Sequence, residues 1–407
     1  MKKIRFREWG MEGPRYWGLL AVLGALVAIG GLSALYMEHE GHWVTGMNNQ
    51  VVWGTPHVFA VFLIVAASGA LNVASMGSVF GQKLYKPLAP LSGLLAIALL
   101  VAGLLVLVLD LGRPERLIVA MTTYNFKSIF AWNIYLYTGF LAIVAVYLFT
   151  LMERKATPYS KGVGLLALVG RLALTTGTGS IFGFLVARQG YDAAILAPMF
   201  IIMSFAYGLA IFMLVMMFAF DQDERPIGEK LIGRLKNLLG VFVAAIFYFN
   251  LVFHLTNLYG TENHAYEVFI LLNGGIYTWL FWGGWVLLGN LVPMGMLYHP
   301  ALGRSRAAIA GASVLIILGG LAAMYVIIIG GQAFPMSLFP GQTIVESGFF
   351  DGVNGAIATY SPALPEALLG IGGIALALLL TAIGIRVLRF LPESLADEAI
   401  DPHHAKV

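Results

Sequence analysis

The chain of 407 residues contains no cysteine. That excludes disulfides, thiolate zinc sites, iron–sulfur ligation and a c-type haem attachment motif within it. Charge is nearly as scarce: 11% of the residues are charged and 59% are hydrophobic, where ordinary soluble domains carry about 25% charged residues. A soluble fold cannot hide this much apolar surface. The composition is that of a polytopic membrane protein. No GxxxxGK[ST] loop or dinucleotide fingerprint is present, so nothing supports nucleotide-driven transport.

The start, "MKKIRFREWGMEGPR", is basic. The run that follows, "YWGLLAVLGALVAIGGLSALYM", is about as long as a bilayer core requires and lacks a small-residue cleavage pattern. It reads as a retained helix. Ten such runs occur, at 16–37, 51–80, 88–109, 128–151, 162–187, 193–220, 237–258, 265–297, 307–330 and 365–389. Barrel strands would alternate over segments of ~10 residues, and these runs do not. The expected fold is all-α with ten transmembrane helices. Residues 1–15 and 391–407 are tails, and 16–390 form one membrane domain. Lys and Arg are split 19 to 4 between the two sets of connections, with Arg171 inside a span. The basic side is cytoplasmic, which places both termini there and His57 at the outer end of the second helix.

Most of the outer charge lies in "DLGRPERLIVAMTTYNFK". Residues 331–364 form a long outer segment with no Lys or Arg, rich in Gly, Pro and aromatics. It is too apolar for disorder and is expected to pack on the membrane face or against a partner subunit. Inside the spans, ionisable residues are costly and are candidate sites. Arg171, in "LVGRLALTTGTGSIFG", lies roughly 15 Å deep at 1.5 Å per residue. Two readings are open: a structural arginine that snorkels inward, or the lining of a hydrated path with Thr175, Thr176, Thr178 and Ser180. Those small residues also suit close helix packing.

His57, in "VVWGTPHVF", has an unperturbed pKa near neutrality. A quinone carbonyl needs a donor when it is reduced and a quinol needs an acceptor when it is oxidised. A histidine at a lipid-accessible helix lip can serve as both, or be an interfacial residue with a wet tip. His254, in "FYFNLVFHLTNLYG", ends helix seven, and Glu262, His264 and Glu267 follow. Glu267 enters the next span and suits a proton path better than Glu262 or His264, which read as solvated loop. His57 and His254 could ligate one b-type haem only on facing helices at similar depth. Asp110, Arg113 and Arg116 close helix three, where capping and pairing alone explain them.

At these residues the chain resembles the NrfD/polysulfide reductase membrane subunits. The resemblance rests on "VVWGTPHVF", "LDLGRPERL", "FKSIFAWNIYLY" and "SPALPEALLGIGGIAL", and spans nearly the whole chain. Ten spans are similar to the longer branch, which includes the membrane subunit of the Dsr complex of dissimilatory sulfur metabolism; the outer loop and "TGTGSIFGFLVARQGYDAAILAPMF" look closest to it. The resemblance implies two four-helix bundles, about 51–187 and 193–330, flanked by the first and last helices. It implies a quinone substrate, menaquinone or ubiquinone, near the outer face, and no bound redox cofactor in this chain. It implies a periplasmic ferredoxin-like iron–sulfur partner, with a multihaem cytochrome c and other membrane subunits in such complexes, in a prokaryotic cytoplasmic membrane. The family's quinone-side histidine falls on His57, with Trp53, Asp110, Trp132, Asn133 and Tyr135 as outer-end neighbours. A proton path is expected from Arg171, Thr175, Thr176, Ser180, Tyr207, His254, Glu267 and Tyr325. Helix two reads "AASGA" where relatives often have a Gly-Gly stretch, and "LALTTGTGS" has no helix-five histidine.

The competing reading is a secondary transporter. Transporters show matched broken helices around a midplane site, and no matched pair is visible here. A transporter works alone, whereas a quinone-handling membrane subunit needs a cofactor-bearing partner.

Overall fold

The computed structural model describes residues 4–336 and 357–401. Ten helices in it are long and apolar enough to cross a membrane. They are α1 (Gly13–Glu40), α2 (Thr55–Ser78), α3 (Lys86–Leu109), α4 (Ile129–Met152), α5 (Thr157–Gly183), α6 (Leu196–Gln222), α7 (Glu229–Tyr259), α8 (Ile276–Tyr298), α9 (Arg306–Ala333) and α10 (Leu364–Val387). Helices are the solution lipid imposes, because each satisfies its own backbone. The expected all-α, ten-span architecture is what the chain adopts. Ser128 and Ser305 cap α4 and α9, their hydroxyls accepting from Ala131 N and Ala308 N.

The helices are unequally enclosed. In α2, 94% of the apolar window is buried, against 22% in α1, so α2 is the central post and α1 a peripheral one. α2 packs on α3, α6 and α10; α4 packs on α5. α6 packs on α5, α7 and α9, and α8 on α9. α1 lies against α10, which covers α2 and α3. The α2–α6 contact joins the two halves of the membrane domain. There a Cβ on Gly208 would collide with the backbone of Gly69 and Ala70. Only glycine permits that approach, as in small-residue packing of membrane helices generally.

Both tails lie on one face, as an even number of crossings requires. Phe6–Arg7 pairs antiparallel with Leu391–Pro392. Trp9 is buried, donates from Nε1 to Ala219 O at 2.9 Å, and its carbonyl accepts from Arg386 at 2.7 Å. We call the opposite face outer, following the charge split. Of the long outer segment, residues 337–356 lie outside the described residues, as do Lys406 and the rest of 402–407.

Two spans are less regular than their hydropathy suggests. α2 breaks at Leu71, between Thr55–Ala70 and Asn72–Ser78. The cause is a hydroxyl from α3. Ser92 Oγ donates to Ala70 O at 2.7 Å and accepts from Ala74 N at 3.1 Å. It stands between two groups that would otherwise bond each other, and such an insertion kinks a helix. The run at 265–297 is also divided. A short helix His264–Val268 and a wide turn Phe269–Asn273 end at Gly274 and Gly275, and α8 starts after them. Gly275 has φ +58, a left-handed conformation that favours glycine.

Candidate functional site

The outer end of α2 begins with Gly54 in an extended conformation, then Thr55 and Pro56 in the first turn. Proline is at home there, because the first N–H groups have no intrahelical acceptor. His57 is partly exposed. Its ring stacks on Trp53 at 5.2 Å, with 9° between the planes. Trp53 in turn meets Phe130 of α4, Phe182 of α5 and Tyr191, with centroids 5.6, 5.9 and 6.4 Å away. Among the described residues, none hydrogen-bonds either ring nitrogen of His57. The result is an aromatic cluster centred on Trp53, with the His57 imidazole at its edge and no partner for its ring nitrogens among the described residues.

The backbone of this lip is held from the other half of the molecule. Gln332, at the end of α9, accepts from Val52 N and Trp53 N, both at 3.0 Å, and donates to Trp53 O at 3.0 Å. Arg188 donates to Gln50 O and Gln332 O, each at 2.8 Å. Burial lowers the pKa of that guanidinium from its ordinary value. Arg188 and Gln332 position the site although neither stood out in the sequence: both read as polar residues at helix ends.

The other face of the same turn meets the last helix. Tyr360 Oη bonds Thr55 N at 2.7 Å, Thr55 Oγ1 at 2.8 Å and Glu366 Oε1 at 2.8 Å. Glu366 is fully buried; its Oε2 accepts from Gly46 N at 2.9 Å and Ala363 N at 2.7 Å. Asp110 interacts electrostatically with Glu366, and its Oδ1 is enclosed with no hydrogen-bond partner among the described residues. Burial first, and the Glu366 charge second, hold the Asp110 carboxyl well above the usual carboxylate range. Glu366 had a signal in the sequence: it is the only carboxylate within the last apolar run, which marks a candidate site.

The expected neighbours of His57 divide between these surroundings. Trp53 stacks on it directly. Asp110 belongs to the Glu366 side. Asn133 is buried and donates to Ile129 O at 2.8 Å and Gly177 O at 3.0 Å, tying α4 to α5. Trp132 and Tyr135 are exposed on the rim of α4 and bond Phe126 O and Met121 O.

The residues expected on a proton path fall in four places. Arg171 is buried in a polar knot at the break in α2. It donates to the Asn72 carboxamide and to Ser68 O at 3.4 Å, and lies 4.9 Å over the Phe205 ring. Ser68 Oγ bonds Thr175 Oγ1 at 3.0 Å. Ser180 is buried further along α5, whereas Thr176 is exposed, off that face. Thr178 bonds Tyr137 at 3.0 Å. Tyr207 stands where α2, α6 and α9 meet, beside Phe62 and Gly320. His254 is buried in α7, its Nδ1 2.7 Å from Glu267 Oε2; Asn257 donates to Glu267 Oε1 at 2.8 Å. Glu262 and His264 are on the surface beyond. His57 and His254 have different partners, one stacked on Trp53 and the other bonded to Glu267. Tyr325 lies near Tyr360, with ring centroids 6.3 Å apart.

Ten helices long and apolar enough to cross a membrane make this an integral membrane protein. The chain belongs to the family described as polysulphide reductase, NrfD, whose profile matches residues 43–336. It is similar to the Hdr-like menaquinol oxidoreductase integral membrane subunit of Archaeoglobus fulgidus, 28% identical over 98% of this chain and 99% of that protein. It is also similar to a putative membrane subunit of dimethyl sulfoxide reductase from Halobacterium salinarum, 28% identical over 91% of each. Protein NrfD of Escherichia coli is 24% identical over 69% of this chain and 95% of its own length.

Proposed function

We propose that this protein is the integral membrane subunit of a redox complex and exchanges electrons between membrane quinone and a partner subunit at the outer face. The observation that carries the reading is His57, stacked on Trp53 with its nitrogens uncommitted, at the outer end of the central helix. The residues fit such a substrate. A planar ring packs well against aromatic faces, and an imidazole nitrogen can donate or accept a hydrogen bond. Quinone supplies reversible two-electron, two-proton chemistry. Trp53 orients His57, and Gln332 with Arg188 fix the backbone that carries both. Trp132 and Tyr135 line the rim from which a lipid-borne molecule approaches, while Asn133 keeps α4 and α5 in register behind it. Asp110 is the neighbouring acid.

The relatives' names support a complex with further subunits, and one names menaquinol. We therefore take menaquinone as the quinone and a periplasmic ferredoxin-like iron–sulfur protein as the electron partner. The 19 to 4 charge split supports a prokaryotic cytoplasmic membrane with both termini cytoplasmic. The packing of α2 on α3 and α4 on α5, and of α6 on α7 and α8 on α9, supports residues 51–187 and 193–330 as two bundles. Sulfur-compound metabolism is the pathway class the dimethyl sulfoxide reductase relative favours. A transmembrane proton route fits the buried polar groups Arg171 with Thr175 and Ser180, then Tyr207, then His254 with Glu267, with Tyr325 standing apart beside Tyr360. Tyr207 Oη and His254 Nε2 are enclosed without a partner among the described residues, and such atoms are ordinarily satisfied by water. Quinone-dependent turnover of the assembled complex carrying His57→Phe tests the reading: turnover collapses if His57 serves the substrate, and is unchanged if it does not.

A further inference from the structure

The last helix lies outside both groups of four, yet it places a buried carboxylate against the first turn of α2. Glu366 is the third residue of α10 and reaches back to Ala363 N. A glutamate there can be a helix cap and nothing more. Three further observations go beyond capping. Among the described residues, Glu366 is held by two backbone N–H groups and the Tyr360 hydroxyl, and by no cation. Gly54 is shaped around it, since a Cβ there would collide with Glu366 Oε1. And the hydrogen bonds from Thr55 to Glu366 have a fixed sense.

That sense follows from counting hydrogens. Tyr360 Oη has one hydrogen. Thr55 N is a donor and cannot receive it, and the Glu366 carboxylate can only accept. The tyrosine hydrogen therefore points at Glu366 Oε1. Tyr360 Oη must then accept from Thr55 Oγ1, which donates its own hydrogen. The lone pairs of Thr55 Oγ1 are then left to accept a proton, and Thr55 stands two residues before His57 in the chain. A proton arriving on Thr55 displaces the Thr55 hydrogen to Tyr360, and the Tyr360 hydrogen to Glu366. Each hydroxyl gains one proton and loses one, so only Glu366 changes its protonation state.

We propose that Thr55, Tyr360 and Glu366 form a proton relay from the outer end of α2, with Glu366 as the terminal acceptor. This rests on the quinone reading above. A quinol gives up two electrons and two protons. The electrons go to the partner's iron–sulfur carrier, one proton goes to His57, and the other goes through this relay. Glu366 touches no substrate, so it is a positioning and proton-accepting residue, not a catalytic one. The titratable groups that interact with it are Asp110 at the end of α3, Tyr325 of α9 and Tyr360 itself. Because Glu366 also binds Gly46 and Ala363, it discharges next to two outer connections and not toward the membrane interior.

The experiment uses the whole complex with Glu366→Gln and Tyr360→Phe. Glutamine keeps an acceptor oxygen for the backbone donors and cannot take a proton. Phenylalanine keeps the ring and cuts the wire. Both variants are expected to assemble and bind a menaquinone analogue as the wild type does. Both are expected to lose roughly 100-fold in quinol oxidation, the usual worth of a positioned proton acceptor. Their rates are expected to lose the rise with pH that wild type shows, and Glu366→Asp to restore part of it. Wild-type rates and pH profile in both variants overturn the relay while leaving the quinone reading intact. So does weaker analogue binding with unchanged kcat, which marks Glu366 as a loop anchor alone. No quinone turnover by the wild-type complex overturns both.

Discussion

Ser92→Ala tests the break in α2 and everything hung on it. The hydroxyl is fully buried and serves two backbone groups, Ala70 C=O and Ala74 N–H. Without it, both stand unpaired in a site that water does not reach. Leaving one buried polar group unsatisfied costs about 1–3 kcal/mol. The two groups could rejoin by straightening α2, but the helix is pinned there: Gly69 is wedged on α6, and Arg171 holds Ser68 O and Asn72. Partial relaxation brings the expected loss to about 2–4 kcal/mol. Ser313→Ala is the internal control. Ser313 is equally buried, but its hydroxyl bonds only Ile309 O of its own helix, at 2.9 Å. Its removal is expected to cost less than about 0.6 kcal/mol, the average for side-chain hydrogen bonds between membrane helices. Reversible unfolding in mixed detergent–SDS micelles reads both. Equal, small losses for the two variants would refute the claim that Ser92 holds the break open.

Arg171→Leu removes the guanidinium donor from Asn72 Oδ1; it is expected to stop quinone-linked proton uptake in proteoliposomes while electron transfer continues. Uptake from the tail side at the wild-type rate would remove Arg171 from the path. A reporter fused after Arg389 is expected to read cytoplasmic, and an external readout there would reverse the orientation.

The fold was legible because lipid leaves the chain few options. Ten apolar runs became ten helices, and the interleaved Lys and Arg marked the connections. What hydropathy could not show were interruptions made by tertiary contacts. The residues "AASGALN" carry no proline, and the α2 break depends on Ser92, an apparently ordinary residue of the next helix. The division at Gly274–Gly275 did have a local signal in the glycine pair. The same contrast holds at the site. His57 and Trp53 are four residues apart, so their stacking is local and readable. Asp110 and Glu366 are 256 positions apart, and no spacing rule joins them. Trp132 and Tyr135 are exposed on the rim of α4, and depth along a helix does not by itself say which way a side chain faces. Gln332 and Arg188 look like unremarkable end residues until α9 is seen beside the lip of α2.

The central claim, that quinone is handled at the outer end of α2, is tested most directly by quinol-dependent turnover of the purified complex with His57→Phe. Phenylalanine keeps the stack on Trp53 and removes both ring nitrogens. Turnover is expected to fall by roughly 100-fold, the typical loss for a positioned acid–base group, with assembly and analogue binding near wild type. Wild-type turnover in a fully assembled variant would contradict the account.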